Sequence, residues 1–281
     1  MLARRGMIGP LVPFGVIFAG LLIWWSTIEP SNGLDWQTDV AVLPSAEVKG
    51  NFVTLRNIRN FGYRSETDYT QRYYDKTVDL RKLETLDLIA VYWMGDAIAH
   101  TMVSFGFGDG DYVAMSIEIR KTKNQVFSTI AGFFRQYHLT YIVADERDLI
   151  GLRTNYRNDP PEDVYLYRVQ ARKEKIRALF LQYVKKIDEL RGHPEFYNTA
   201  TTNCTTNIVM HIEAVNPNVP LSWKMLLSGY FPELIYERGA FDRSLSFAEL
   251  REKSRINGRA RSAGITTNFS KVIREGLPGM N

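Results

Sequence analysis

Cysteine is almost absent from this sequence: Cys204 is the only one in 281 residues. No disulfide can form within the chain, and no group of His, Cys, Asp and Glu has zinc-like spacing, so neither a metal nor any other cofactor is expected. Internal repeats and low-complexity tracts are lacking, which excludes solenoids and biased, disordered segments. A phosphate loop is lacking too. Gly106-Phe-Gly108-Asp-Gly110 joins two apparent strands, not a strand and a helix, and reads as a turn. Charge of one sign is not in large excess: 35 basic residues face 31 acidic ones, a net charge of +4 that argues only weakly about partners. What is present is a globular composition, 45% hydrophobic and 23% charged, with enough aromatic residues for a sizeable mixed core.

The amino terminus carries a targeting signal. Residues 6–28 hold no charge, Arg4 and Arg5 precede them, Trp24 and Trp25 stand at the far end, and Glu29 is the first charge beyond. At ~1.5 Å per residue this run can cross a hydrocarbon core of ~30 Å. Positive residues stay inside and aromatic rings favour the interface, so the pattern predicts a single-pass inner-membrane helix, amino terminus cytoplasmic and body periplasmic. Pro10 and Pro13 fall in its first turns, where a missing N–H costs little. A cleaved signal peptide is the rival reading, but the run is long for one and no A-x-A site follows. In an oxidising compartment a lone cysteine risks wrong pairing. The ordinary alternative for Cys204 is a small, buried apolar residue.

Four segments are expected: a membrane anchor over 1–29, an extended linker over 30–47, a periplasmic domain over 48–230 and a basic extension over 231–281. Strands are predicted over 51–59, 86–93, 139–144 and 164–169, with a polar, aromatic loop over 60–73. Alternating segments 99–107 and 112–120 form a hairpin. A helix capped by Asp145 covers 145–156, and an amphipathic one covers 172–190, with Ile176, Leu179, Phe180, Tyr183, Val184 and Ile187 on one face. Another runs from Cys204 to about Val215, stopped by Asn216-Pro217, and a further helical stretch lies around 221–227. Arg251, Lys253, Arg255, Arg259 and Arg261 cluster near the end. They suit anionic headgroups or a merely solvated surface, whereas nucleic-acid binding fits poorly with an exported body.

Cys204 follows a polar loop and opens a helix that Asn203 or Thr202 can cap. Helix-start N–H groups and the helix dipole favour a thiolate there. A thiolate nucleophile needs a proton acceptor, usually histidine. His211 is about two turns further along the same helix, too far to touch the sulfur. His193 sits in a Gly-His-Pro turn and His138 has no visible partner, which leaves His100. In the hairpin, Val103, Phe105 and Phe107 must share a face with Val113, Met115, Ile117 and Ile119, because a one-residue slip exchanges faces. A Gly108-Asp109-Gly110 loop with Gly110 left-handed then pairs Phe105 with Val113 and Val103 with Met115. Continued, this register sets His100 opposite Glu118, with Ser104 and Ser116 on the same side, an arrangement that orients and charges an imidazole. A plain surface pair is the competing explanation. Oxyanion or substrate contacts are expected from the Cys204 N–H together with Asn203, Asn207, Tyr197 or Arg135.

The stretches Arg59-Asn-Phe-Gly-Tyr-Arg-Ser-Glu-Thr-Asp-Tyr69, Ala99-His-Thr-Met-Val-Ser-Phe-Gly-Phe107, Phe134-Arg-Gln-Tyr137, Val143-Ala-Asp-Glu-Arg-Asp-Leu149, Arg153-Thr-Asn-Tyr156 and Tyr197-Asn-Thr-Ala-Thr-Thr-Asn-Cys-Thr-Thr-Asn-Ile208 together resemble the Lnb N-terminal periplasmic domain family, long carried as a domain of unknown function. The resemblance runs from about residue 48 to 215. It implies an α+β, permuted papain-like fold, an antiparallel sheet packed on helices with histidine ahead of cysteine. It also implies lipoprotein N-acyltransferase activity, with a phospholipid bilayer supplying the acyl donor and a lipoprotein or other envelope molecule as acceptor. The family's histidine and cysteine fall on His100 and Cys204. A periplasmic cysteine hydrolase (peptidase, amidase or esterase) and a non-catalytic envelope binding module are the alternatives.

Overall fold

The computed structural model describes residues 5–280 apart from 109, 129 and 218, and of residues 5–11 the backbone alone. Eight strands form the central sheet. They are β1 (Ser45–Lys49), β2 (Phe52–Arg59), β5 (Tyr73–Asp79), β6 (Thr85–Tyr92), β7 (His100–Gly106), β8 (Tyr112–Arg120), β9 (His138–Ala144) and β10 (Asp163–Arg168); β3 (Gly62–Tyr63) and β4 (Tyr69–Thr70) make a separate small hairpin. The order is β1-β2-β9-β8-β7-β6-β10, with β5 also paired to β2. Every pairing in the sheet is antiparallel except a single parallel bridge, Arg59 to Ala144, between β2 and β9. The result is a mixed α+β architecture with helices on both faces.

One face packs on α3 (Lys173–Gly192) and α4 (Cys204–Val215). The six apolar residues expected on one side of α3 are all buried. Phe105 of β7 meets Phe180 and Tyr183 edge-on at 5.1 and 5.7 Å. Burying each such ring contributes about 2 kcal/mol. The opposite face packs on α2 (Glu146–Gly151) and on α7 (Asn257–Ala263) and α8 (Phe269–Val272), through Leu149, Ile150, Ile256, Ala260, Phe269 and Ile273. Because β6 lies between both layers, Leu86, Leu88 and Ala90 are buried on one side and Ile89 and Val91 on the other, while Asp87 is buried as part of a charge cluster.

The stretch 231–281, expected as a basic extension beyond the domain, is therefore, over its described residues 231–280, part of its core. Along with α5 (Phe231–Glu237) and α6 (Phe247–Lys253) they bury Phe241, Leu250, Ile256, Phe269, Ile273 and Leu277. The basic cluster is spent largely on the body. Arg251 pairs with Asp96 and lies over the Tyr92 ring, Arg255 pairs with Asp163, and Arg261 donates to Thr154 O. The supposed linker 30–47 is also fastened down: Arg120 stacks over buried Trp36 at 4.2 Å and donates to Val40 O and Ala41 O. Two smaller expectations need revising. Only a 3-10 turn, Trp223–Met225, forms around 221–227, and the loop 60–73 contains β3 and β4.

Helix α1 (Arg5–Ser26) precedes this body. From Val12 to Trp24 its large apolar side chains are exposed. Among the described residues no helix is long and apolar enough to cross a membrane. The side chains of residues 1–11, which the expected anchor includes and which hold Arg4 and Arg5, lie outside the described ones.

Candidate active site

Asn203 starts α4. Its side chain accepts from Thr206 N at 2.9 Å, and its own N–H donates to Thr206 Oγ1 at 2.8 Å, closing a capping box. Asn207 N bonds Asn203 O, so the amides of Cys204 and Thr205 stand ahead of the bonded ones, at the positive end of the helix dipole. Cys204 is the first helical residue, packed against the sheet with 9% of its surface open.

The sheet supplies the base. Val103 pairs with Met115 and Phe105 with Val113, and Gly110 is left-handed at φ 76°, as the alternation requires. The β7–β8 ladder stops at Met102–Ser116, while β8 continues along β9 to Arg120–His138. Past the end of the ladder, the His100 ring meets the side chains of β8: Nε2 lies 2.7 Å from Ser116 Oγ and 3.0 Å from Glu118 Oε1. Ser116 Oγ donates to the same carboxylate oxygen at 2.6 Å. With Nε2 so engaged, Nδ1 is the nitrogen left for the thiol. Glu118 is also held by Arg153 Nη2 at 3.2 Å. Arg153 Nη1 reaches Glu162 at 3.3 Å, and Glu162 takes Arg157 at 3.0 Å as well. Arg153 stands in Leu152–Tyr156, where α2 widens into a π turn.

These contacts set the charges. Burial pushes the Cys204 thiol up, but the charge and hydrogen bonding of His100, followed by the N–H and hydroxyl of Thr101, outweigh it and bring the thiol down to about 7. Burial pushes the His100 imidazole down, yet the Glu118 carboxylate, against Arg153 and with help from Cys204, raises it to about 9. Burial would also raise Glu118, but His100, Arg153 and Ser116 hold it well below the usual carboxylate range. Between about pH 7 and pH 9 the sulfur and the ring therefore coexist as thiolate and imidazolium.

Residues 69–229 match the family model described as the Lnb N-terminal periplasmic domain. The chain belongs to this family. His100, Glu118, Arg153 and Cys204 all fall inside the matched residues, whereas the stretch from Arg59 that contributes to the resemblance lies almost wholly ahead of them. The family's description assigns the domain to the periplasm, which agrees with a body outside the cytoplasm. No curated protein and no solved structure matches the chain.

Within this Lnb N-terminal periplasmic domain the other expected site residues divide. Tyr197 is near Cys204: burial first, and then the charges of Cys204 and Glu118, push its hydroxyl up, so it stays protonated and able to donate. Asn203 caps the helix and gives its amide to Thr199 O at 2.8 Å, which commits its side chain. Asn207 is buried in the second turn, bonded to Asn203 O and to the Tyr141 hydroxyl. Arg135 is engaged elsewhere. Its guanidinium caps the carbonyl end of α1, donating to Trp25 O and Ile28 O at 3.1 and 3.2 Å. The cause is its backbone, left-handed at φ 53°, which turns the chain at that point. His211 bonds Tyr141 and His138 accepts from Ser31 N; burial first, then a nearby cation, lowers each ring to about 4. The positions that spacing did not reveal are Thr101, Glu162 and Arg153. Arg153 stood inside a stretch that carried the resemblance, the one signal available for it.

Beyond Cys204 on the same helix lies an apolar cavity of about 490 Å³. Ile208, Val209 and Ile212 of α4 line it with Val103 of β7 and Leu179 of α3, and Arg172, Lys175 and Arg238 contribute its cations. Cys204 and Ile208 are one helical turn apart and share a face.

Proposed function

We propose that this chain is a membrane-anchored periplasmic thiol acyltransferase of permuted papain-like design, which moves an acyl group from phospholipid to an amine of a lipoprotein or similar envelope acceptor. The reading rests on one arrangement above others: a helix-start cysteine and a strand-end histidine, the ring held by Ser116 and Glu118, each placed so that it favours the charged form of the other. The thiolate of Cys204 attacks the ester carbonyl of the donor, forming a C–S bond. The negative oxygen that develops faces the Cys204 N–H and the Tyr197 hydroxyl. As the C–O bond breaks, the proton on His100 passes to the departing alkoxide, leaving a thioester and a neutral ring. The acceptor amine then attacks the thioester and gives a proton to His100, and the Cys204 thiolate departs as the amide forms. Ser116, Glu118 and Arg153 hold the ring in place throughout. The apolar cavity beyond Ile208 favours a lipid chain over a peptide as the acyl part. The uncharged, exposed face of α1 supports its role as the anchor.

The test is intact mass of the full chain after incubation with phosphatidylethanolamine vesicles. The expected product carries one fatty acyl group on Cys204, is discharged by neutral hydroxylamine, and does not form in Cys204→Ala. Acylation at another residue, or none, ends the proposal. An acyl-enzyme that decays in water at a rate no added amine changes reassigns the same site to a hydrolase.

A further inference from the structure

A second surface bears on how a lipid reaches Cys204. Residues 124–134 contain no charge, while Lys121 and Lys123 precede them and Arg135 follows. Val126, Phe127, Ile130, Phe133 and Phe134 are between 43% and 85% exposed, so the protein covers little of the largest side chains in this stretch. They are not presented by a loose loop. The buried Tyr137 hydroxyl accepts from Ser128 N at 2.8 Å and donates to Val126 O at 2.7 Å, pinning the backbone from inside. A side chain at Gly132 would collide with the Thr199 hydroxyl, so the loop sits hard on the segment before Cys204.

Two connections give this surface a partner. Arg135 binds Trp25 O in the last turn of α1 and Ile28 O just beyond it, and lies 4.4 Å from the Trp25 ring, so the apolar loop and the aromatic end of α1 are joined side by side. Thr199 N donates to Gly132 O at 3.0 Å, Asn198 Nδ2 to Phe133 O at 3.3 Å, and Asn203 Nδ2 to Thr199 O at 2.8 Å, so the same loop leads directly to the cap of α4. A rigid apolar loop, flanked by cations and continuous with Trp24 and Trp25, fits the acyl-to-headgroup boundary of a phospholipid bilayer.

We infer that Val126, Phe127, Ile130, Phe133 and Phe134 form a bilayer-inserting rim that holds the Cys204 end of α4 at the membrane surface, where a donor ester can reach the sulfur without leaving the lipid. The inference rests on the membrane-anchored acyl-transfer reading and names the surface through which it works. Isolated exposed hydrophobic residues are common on proteins, but five on a hydrogen-bonded loop beside an apolar helix form a patch of the kind that marks an interaction site.

The experiment uses the full chain carrying Cys204→Ala, so that its outcome is independent of thioester chemistry. An environment-sensitive fluorophore is attached at Ile130→Cys or, as a control, at Lys185→Cys on the exposed side of α3. Each protein is reconstituted in phosphatidylethanolamine–phosphatidylglycerol vesicles, with or without nitroxide groups on the acyl chains. The expected result is a blue shift and quenching at position 130 and neither at 185. An unquenched, water-like emission at 130 in vesicle-bound protein overturns the inference. Equal shielding at 130 in detergent-free buffer that depends on protein concentration also overturns it, by assigning the loop to a contact between copies. With Cys204 restored, Ile130→Asp is expected to cut acyl transfer from vesicle lipid about tenfold while leaving a soluble short-chain thioester within about twofold. Equal loss on both substrates would mean that the loop only supports the fold.

Discussion

The cluster of Asp87, Glu146, Arg168 and Arg274 and the cluster of Glu118, Glu162, Arg153 and Arg157 use the same materials in this protein for different ends. In the first, Arg274 bonds Asp87 at 2.8 Å and Glu146 at 2.5 Å, Arg168 takes the other oxygen of Asp87, and Ser104 donates to Glu146. The Tyr112 ring closes over the Arg274 guanidinium at 3.5 Å. Two carboxylates face two guanidiniums, both carboxylates are fully buried, and nothing is left over. In the second, Arg153 and Arg157 face three carboxylates, Glu118, Glu162 and, on Arg157 at 3.0 Å, Glu66. The His100 imidazolium, drawn in by Glu118, links this set to the Cys204 thiolate. A closed set of buried charges holds two parts of the chain together. A set that ends on a titratable ring and sulfur can move a proton.

That contrast can be broken from either side. The largest effect is expected for His100→Ala, which should slow acyl-enzyme formation by about 10²–10⁴-fold. With the ring gone, burial is the main influence left on the thiol, so Cys204 should titrate at or above 9.0 instead of about 7, as read from alkylation rate against pH. In the intact protein, turnover should rise through about pH 7 as the thiol ionises and fall through about pH 9 as the imidazolium loses its proton. A single limb would show that the two groups do not work as a pair.

Arg274→Leu tests the closed cluster. It strands Asp87 and Glu146 without their shared cation and should cost about 3–5 kcal/mol by denaturant titration. The alkylation profile of the folded protein should stay where it was, and a shift in it would mean that the two clusters are coupled.

Arg153→Gln should act in the opposite sense, with modest loss of stability and slower turnover. Losing a charge-assisted hydrogen bond of about 1.5–3 kcal/mol corresponds to roughly 10- to 100-fold. Because Arg153 opposes protonation of His100, its removal should move the upper limb of the pH profile upward. An unmoved limb would reduce Arg153 to a packing residue. The smallest effect is expected for Ile212→Trp, which fills the apolar cavity. It should lower turnover of long-chain donors about tenfold relative to short-chain ones.

The site was partly legible before any coordinates. Alternation along 99–120 sets the His100–Glu118 approach, and the change from Thr-Thr-Asn to apolar spacing marks the start of α4. Both are local patterns, read from neighbours in the chain. Arg153 was not legible as a partner of Glu118, because 35 positions separate them and the π turn that presents it has no periodic signature. Arg135, one of four side chains expected to contact oxyanion or substrate, instead donates to Trp25 O of α1, a contact 110 positions away that no local pattern signals.

What the sequence determined by itself is the helix beginning at Cys204, the hairpin register and the amphipathic α3, because periodicity and capping act within a few residues. Only the tertiary structure decided that residues 231–280 complete both layers, Phe231, Leu234, Phe241 and Leu250 on the α3 side and Ile256, Ala260, Phe269 and Ile273 on the other. Their helices are seven residues or shorter, too brief to show a stripe, and Arg274 finds Asp87 and Glu146 across 187 and 128 positions. The pairing of a sulfur with a ring is likewise a property of how helix and sheet pack, since a pKa depends on what lies within a few ångströms in space and not on what lies nearby in sequence.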